Sequence, residues 1–320
     1  MDSRQAGLLL ILLLGLGLVA WNAYTTSQPL QDSAGVAPPR SDGLDVAKLA
    51  PGQSIAYESM SPALKAMMEP LTDVVVLRPW PAPHWLHVVS ASAKDPATRE
   101  LRTRKLRDCP LTLLTQWAFD EGCVEDFSVV IDIGMNLGWF TALAAAHGLQ
   151  VVAFEPSAAK VKYMAKTLEL NGWDKVQLRH GGLATEGGQL FVDETRWWEK
   201  RSASREAGEG KTEATALRLD DVVSSSAKVC LLKADCRGCE TEAFRSGERL
   251  LQAGAVQVVQ MEYDHSEASR TALETLQSMS PRPWQCILLP TGLSCSGGDL
   301  ADQKSEALQE LWDFVVANAA

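Results

Sequence analysis

Short apolar runs alternate with longer amphipathic stretches through the middle of this chain. Unbroken apolar runs of this length are typical of strands buried on both faces of a parallel sheet. Such runs lie at residues 129–131 and 151–154, and further strands with polar residues among the apolar ones are predicted at 176–179, 229–234 and 256–261. Helical patterns follow several of them, around 139–147, 158–171 and 240–251. Strand, helix and strand in this order predict an α/β fold with a crevice at the carboxyl ends of its strands.

The periodicity and composition divide the chain into four parts. We expect an N-terminal hydrophobic helix at 1–24, a flexible linker rich in Pro, Ser and Gly at 25–43, a cap region of weak periodicity at 44–124, and a catalytic domain at 125–320. A last amphipathic helix is predicted at 308–316.

The N-terminal apolar run indicates entry into the secretory pathway. It covers about 16 residues, roughly 24 Å as a helix. Arg4 precedes it and the next cation is Arg40, which predicts a single-pass membrane protein with its body on the lumenal side of the endoplasmic reticulum or Golgi. A signal peptide cleaved near residues 18–20 would instead give a secreted protein. Trp21 fits cleavage poorly, so the uncleaved signal anchor is favoured.

Charge narrows the classes of partner. The net charge of −10 argues against a nucleic-acid backbone as the main partner. The basic run at 99–107 is interpreted as a solvated helix face. The oligomeric state is left open by the sequence.

The seven cysteines predict no metal site. Zinc normally takes four ligands, and Cys236-x-x-Cys239 has no second pair of this spacing. Two small buried thiols are favoured there over an oxidised pair. The sequence does not assign partners to the remaining cysteines.

The first strand and the turn after it carry the candidate ligand-binding chemistry. Asp132, Gly134, Asn136 and Gly138 have the spacing D-x-G-x-N-x-G, and Glu155 ends the second strand. Glycines let a backbone approach a ligand closely, and an acid at that strand end can accept both hydroxyl protons of a ribose. Asn136 replaces the second glycine of a dinucleotide turn, and a carboxylate at 132 would attract a sulfonium. The pattern therefore favours S-adenosylmethionine over NAD. The alternative is a turn whose glycines serve packing alone.

Four motifs in this order resemble the FkbM-type methyltransferases, a branch of the class I S-adenosylmethionine-dependent enzymes. They are D-I-G-M-N-L-G at 132–138, F-E-P at 154–156, L-L-K-A-D-C-R-G-C-E at 231–240, and Glu262 after the last core strand. The resemblance covers roughly 129–262, under half of the chain. It implies a Rossmann-like, mostly parallel seven-stranded sheet with helices on both faces. It also implies O-methylation of a hydroxyl on a sugar or small molecule, so that the partner is a small-molecule or glycan acceptor.

The resemblance also assigns cofactor-binding positions. It places the methionine head at the first turn, the ribose at Glu155 and the adenine near the end of the third strand. The positions concerned are Asp132, Gly134, Met135, Asn136, Gly138, Glu155, Pro156 and Gly182.

Two positions depart from the family pattern. Met135 stands where the family has Ala, and Arg237 stands where it has Glu. The second departure reverses a charge beside the presumed acceptor. It supports an alternative hypothesis, a catalytically inactive binding protein that keeps the methyltransferase fold.

Three residues are candidates for accepting the proton of a hydroxyl acceptor. Asp235, Glu262 and His265 all follow the carboxyl ends of predicted core strands. Asp235 has an alternative role as the N-cap of the following helix.

Overall fold

The computed structural model describes residues 8–13, 49–79, 85–92, 96–108, 111–112, 115–116, 118–119, 123, 129–193, 203–281 and 283–289. The predicted linker at 25–43 and the predicted helix at 308–316 lie outside the described residues.

A large sheet forms the centre of the described structure. Its seven-stranded part has the order β13-β1-β12-β11-β5-β6-β7, and β10, β8 and β9 extend it beyond β7. The strands are β1 (Leu8–Leu13), β5 (Val129–Ile133), β6 (Gln150–Glu155), β7 (Val176–Leu183), β8 (Gly188–Asp193), β9 (Ala203–Ser204), β10 (Lys211–Leu217), β11 (Val229–Ala234), β12 (Val256–Tyr263) and β13 (Gln285–Leu289). The neighbours from β12 through β7 are all parallel. The predicted mostly parallel sheet is confirmed.

Helices cover both faces of this sheet because successive side chains of a strand point to opposite faces. Val130 packs in one cluster with residues of the helices after β5 and β6, whereas Ile131 and Ile133 pack in a second cluster with those after β11 and β12. The helices are α1 (Pro62–Met68), α2 (Pro96–Arg104), α3 (Trp139–Ala146), α4 (Ala158–Asn171), α5 (Leu219–Val222), α6 (Glu240–Ser246), α7 (Glu248–Gln252) and α8 (Glu267–Met279).

A small antiparallel sheet in the predicted cap region packs on helix α4. Its strands are β2 (Ser54–Ala56), β3 (Val74–Leu77) and β4 (His87–Ser90). The Asn171 side-chain oxygen accepts a hydrogen bond from the Leu86 amide at 2.9 Å, and the Thr167 hydroxyl accepts one from the Val88 amide at 3.0 Å. These side chains satisfy backbone groups along β4 that no strand partner reaches.

The N-terminal apolar run differs from its prediction. Residues Leu8–Leu13 form strand β1, which pairs antiparallel with both β12 and β13. The predicted hydrophobic helix is wrong at these residues, and the rest of 1–24 lies outside the described structure. A short leucine-rich run is compatible with helix or buried strand, and two flanking strands supply backbone partners here. None of the described helices has the length and apolarity needed to cross a membrane.

The described residues contain two disulfides, and one of them corrects the prediction of two buried thiols at Cys236 and Cys239. Cys236 is bonded to Cys239, and Cys123 is bonded to Cys230 on β11. The first closes a turn of the chain. The second joins the segment before β5 to the centre of the sheet, across 107 residues of sequence.

The turn between β5 and α3 touches the end of β11 directly. Gly134 has φ of +76°, and a Cβ built on it would lie 2.3 Å from the backbone oxygen of Asp235. A side chain at this position would therefore push the β5 turn away from the β11 end. Gly134 is required both by its backbone conformation and by this contact.

A matched pair of alanine substitutions separates these two requirements. Gly148 has φ of +77° but open space around its would-be Cβ. We expect Gly148→Ala to lower the free energy of unfolding by about 1 kcal/mol, the cost of the left-handed conformation alone. Gly134→Ala should lower it by about 3 kcal/mol or more, because overpacking adds to that cost. Denaturant unfolding of both variants measures the difference, and equal losses would contradict the close contact.

Removing each disulfide tests how much it stabilises the fold. Chain entropy predicts that Cys123→Ser with Cys230→Ser lowers the free energy of unfolding by about 4 to 5 kcal/mol, because the closed loop is long. Cys236→Ser with Cys239→Ser, which opens a loop of a few residues, should cost only about 2 kcal/mol. Urea unfolding without reductant compares the two. A larger loss from the short loop would argue against this pairing.

Candidate active site

The turn after β5 presents its backbone to the carboxyl end of the sheet. Gly134 and Met135 donate their amides to the carbonyl oxygen of Phe154, each at 3.0 Å, so the turn is held against the end of β6. Asn136 has φ of +55°, a left-handed conformation that Asn tolerates better than most residues. Gly138, with φ of +79°, then begins α3 as its N-cap.

Glu155 is fixed at the end of β6 by backbone donors. One carboxylate oxygen accepts from the amide of Asn136 and the other from the amide of Ser157, both at 2.9 Å. The ammonium of Lys160 lies 3.8 Å from the carboxylate, and Glu155 is 4% exposed. A carboxylate offers about four acceptor sites, so these contacts are compatible with further hydrogen bonds from a diol.

The side-chain oxygen of Asn136 is buried and has no hydrogen-bond partner among the described residues. Burying an unsatisfied polar atom is costly, so such an atom in a native structure needs an explanation. Because Asn136 lines a cavity, a donor group of a ligand is the natural partner.

That cavity has a volume of about 480 Å³ and lies at the carboxyl ends of β5, β6, β7 and β11. A pocket of this size suits a small ligand. Its wall includes the predicted residues Gly134, Met135, Asn136, Glu155, Pro156, Gly182 and Asp235. The structure thus brings most of the predicted cofactor positions and one catalytic candidate to a single place.

Asp132 lies beneath this cavity and is absent from its wall. It is fully buried, accepts a hydrogen bond from the Thr141 hydroxyl at 2.8 Å, and pairs with the Lys233 ammonium at 3.0 Å. The Asp132 carboxylate is therefore paired with Lys233 and does not reach the cavity wall, so its direct attraction for a sulfonium stays a prediction. Gly138 also lies outside the wall, at the start of α3.

Lys233 stays charged in this buried setting. Burial disfavours the ammonium, but the attraction of Asp132 and Asp235 outweighs it, so the pKa of Lys233 is raised above its ordinary value. The sequence reasoning missed this residue. The signal was a lysine inside an apolar run that forms a fully buried strand.

The turn after β11 forms the opposite wall. Glu240 closes this turn, since its carboxylate accepts from the amides of Cys236 and Gly238 at 3.0 and 2.8 Å. Burial raises the pKa of Glu240. Cys239 is the N-cap of α6 and makes no side-chain cap hydrogen bond. Asp235 therefore does not cap the helix, and its carboxylate lies 4.0 Å from the Lys233 ammonium in the cavity wall.

The other two catalytic candidates lie outside the cavity wall. Glu262 is half-buried at the end of β12. Burial and the nearby charge of Asp235 raise its pKa to about 7, although Arg237 opposes the shift. His265 is exposed and packs edge-on against Tyr263, with ring centroids 5.0 Å apart. The structure brings Glu262, but not His265, close to Asp235.

Cations also lie in the wall: Arg237 was expected beside the presumed acceptor, whereas Arg107 was not expected there. Arg107, interpreted as part of a solvated helix, lies in the wall and pairs with Asp108 at 3.1 Å. Arg237 lies in the wall in a left-handed conformation, with φ of +58°. The cavity wall thus carries the positive charges of Arg107 and Arg237 as well as the Asp235 carboxylate.

Comparison with known proteins agrees with this geometry. Residues 132–286 match the family model of the methyltransferase FkbM domain. This match contains the turn after β5, Glu155, the turn after β11 and Glu262. No curated protein matches the chain. Residues 132–286 of this chain are therefore similar to the FkbM methyltransferase domain.

Proposed function

We propose that this protein transfers a methyl group from S-adenosylmethionine to a hydroxyl oxygen of a small-molecule or glycan acceptor. One observation carries the proposal: a single cavity of about 480 Å³ joins the Glu155 carboxylate, the unsatisfied oxygen of Asn136 and the Asp235 carboxylate. The first two suit a cofactor with a ribose and an amino-acid head. The third suits a hydroxyl acceptor, whose proton a carboxylate can take.

The residues of the wall fit this cofactor. Glu155 would accept the two ribose hydroxyls, and the Asn136 oxygen would accept from the ammonium of the methionine head. When bound, S-adenosylmethionine supplies a methyl group already activated on a positively charged sulfur. The remaining task of the protein is to align the acceptor and take its proton.

Asp235 and Glu262 would both take part in removing the proton of the acceptor hydroxyl. Asp235 lies in the wall and would accept the hydroxyl proton as the new bond between carbon and oxygen forms. Burial, together with the nearby charge of Asp235, raises the pKa of Glu262 to about 7. Glu262, deprotonated above that pKa, would receive the proton that Asp235 takes from the acceptor.

A binding protein without methyltransferase activity is the second candidate. Arg237 favours it, because an arginine in the acceptor wall replaces the family's glutamate. This candidate predicts cofactor binding without turnover on any hydroxyl acceptor, and a gain of turnover in Arg237→Glu.

We also place the protein in an oxidising compartment, the secretory lumen or the cell exterior. Two disulfides support this location, since such bonds persist mainly outside the cytosol. Membrane attachment through residues 1–24 stays a prediction from the sequence.

Cofactor binding tests the role of Glu155. Isothermal titration should detect S-adenosylmethionine binding, and Glu155→Gln should weaken it about 10- to 100-fold, because hydrogen bonds to a charged acceptor are lost. Glu169→Gln makes the same charge change on the exposed side of α4 and should leave the affinity unchanged. Absence of binding by the unaltered protein would reject the proposal. Equal affinity of Glu155→Gln would reject the role of Glu155.

The pH profile tests the carboxylate pair. A base must be deprotonated to act, so kcat/KM should rise with pH through about 7, the raised pKa of Glu262, and level off above it. Glu262→Gln should remove this rise while cofactor affinity is retained. A flat profile between about pH 5 and about pH 9, or an unchanged rise in Glu262→Gln, would contradict the assignment.

A further inference from the structure

Lys233 is a cation within an otherwise apolar strand. All six residues of β11 are buried, and Lys233 is 3% exposed. Burying an ammonium is expensive unless charged partners surround it. A lysine in this position is therefore held there by specific neighbours, and those neighbours indicate what it does.

Two carboxylates near the ammonium supply these partners. Asp132, directly opposite on β5, lies 3.0 Å away, and Asp235, in the cavity wall, lies 4.0 Å away. Thr141 holds the second oxygen of Asp132 by a hydrogen bond of 2.8 Å. The Phe140 ring lies 5.3 Å from the ammonium. The lysine thus connects a fully buried acid to one that faces the cavity.

The charges of this group sum to a single negative charge. Asp132 and Lys233 cancel, and Asp235 bears the remainder at the cavity. Arg107 is the other cation that acts on Lys233, and it is itself paired with Glu100 and Asp108. Glu240 and Glu262 also act on Asp235, with Arg237 opposing them at Glu262. The Lys233 ammonium lies 4.0 Å from the Asp235 carboxylate.

We propose that Lys233 is a positioning residue for methyl transfer. Its ammonium, anchored by Asp132, fixes the Asp235 carboxylate at the cavity wall, where it takes the acceptor proton. This inference rests on the proposed function. Lys233 acts through Asp235 and is not itself a proton acceptor, since its own pKa is raised.

A charge-balanced double variant tests this inference. Lys233→Met alone would leave Asp132 buried without its cation and could prevent folding. Asp132→Asn combined with Lys233→Met removes both charges and keeps similar shapes. We expect this variant to fold, to bind S-adenosylmethionine within about threefold of the unaltered protein, and to lose about 100-fold in kcat, as a misplaced catalytic group does.

The matched control removes a different buried polar pair at the same level of the sheet. Gln260 lies opposite Lys233 on β12 and exchanges hydrogen bonds of 3.0 and 3.1 Å with Thr115. Gln260→Met combined with Thr115→Val should leave kcat unchanged. If this control lost as much kcat as the charge-balanced variant, the effect would belong to buried polarity in general and the proposal would fall.

A mutant cycle with Asp235→Asn distinguishes positioning from a structural role. If Lys233 acts through Asp235, the charge-balanced pair should cost little further kcat once Asp235 is Asn, whereas independent effects would multiply. A crystal structure of the charge-balanced variant should show the Asp235 side chain displaced while the β11 backbone stays in place. Multiplying effects, or an Asp235 side chain that does not move, would overturn the proposal. Failure of the proposed function appears separately, as absent cofactor binding or turnover in the unaltered protein.

Discussion

The active site depends on a buried ion pair between two adjacent strands. Asp132 on β5 and Lys233 on β11 are 101 residues apart in sequence but lie opposite each other in the parallel register. The ends of these strands carry the two turns that form opposite walls of the cavity. A charged pair in a dry core contributes little net stability compared with apolar residues, but it is strongly destabilising to break. The pair thus fixes the register of the two strands, because any slip of β5 against β11 would leave two charges buried without partners.

In both walls a buried carboxylate holds the backbone of the turn. Glu155 accepts from the amides of Asn136 and Ser157, and Glu240 accepts from the amides of Cys236 and Gly238. In each case a buried carboxylate satisfies donors that a tight turn leaves unpaired. The consequence differs between the walls. Glu155 lines the cavity and so also presents hydrogen-bond acceptor sites to a ligand, whereas Glu240 serves the turn and leaves Asp235 to face the cavity.

Local sequence patterns predicted the core strands of the fold and the first turn of the site. The core strands were predicted because short apolar runs are unambiguous when helical patterns separate them. The first turn was predicted because its glycines answer a local need, and Gly134 and Gly138 indeed adopt left-handed conformations. Non-local facts were missed. The leucine run at Leu8–Leu13 became a strand because two other strands flank it. The role of Asp132 depended on which strand lies beside β5, which periodicity does not reveal.

The charge reversal at Arg237 is compatible with catalysis on electrostatic grounds. Three acids converge around this turn, since Asp235, Glu240 and Asp264 each raise the pKa of Glu262. A further glutamate at 237 would add to that repulsion and favour protonated carboxyl groups at neutral pH. Arginine has the opposite effect and lowers the pKa of Glu262. With burial still dominant, the balance leaves Glu262 titrating at about 7, where a proton-exchanging group is most effective. The departure from the family pattern therefore changes how the acids are balanced: Arg237 lowers the pKa of Glu262, whereas a glutamate at 237 would raise it.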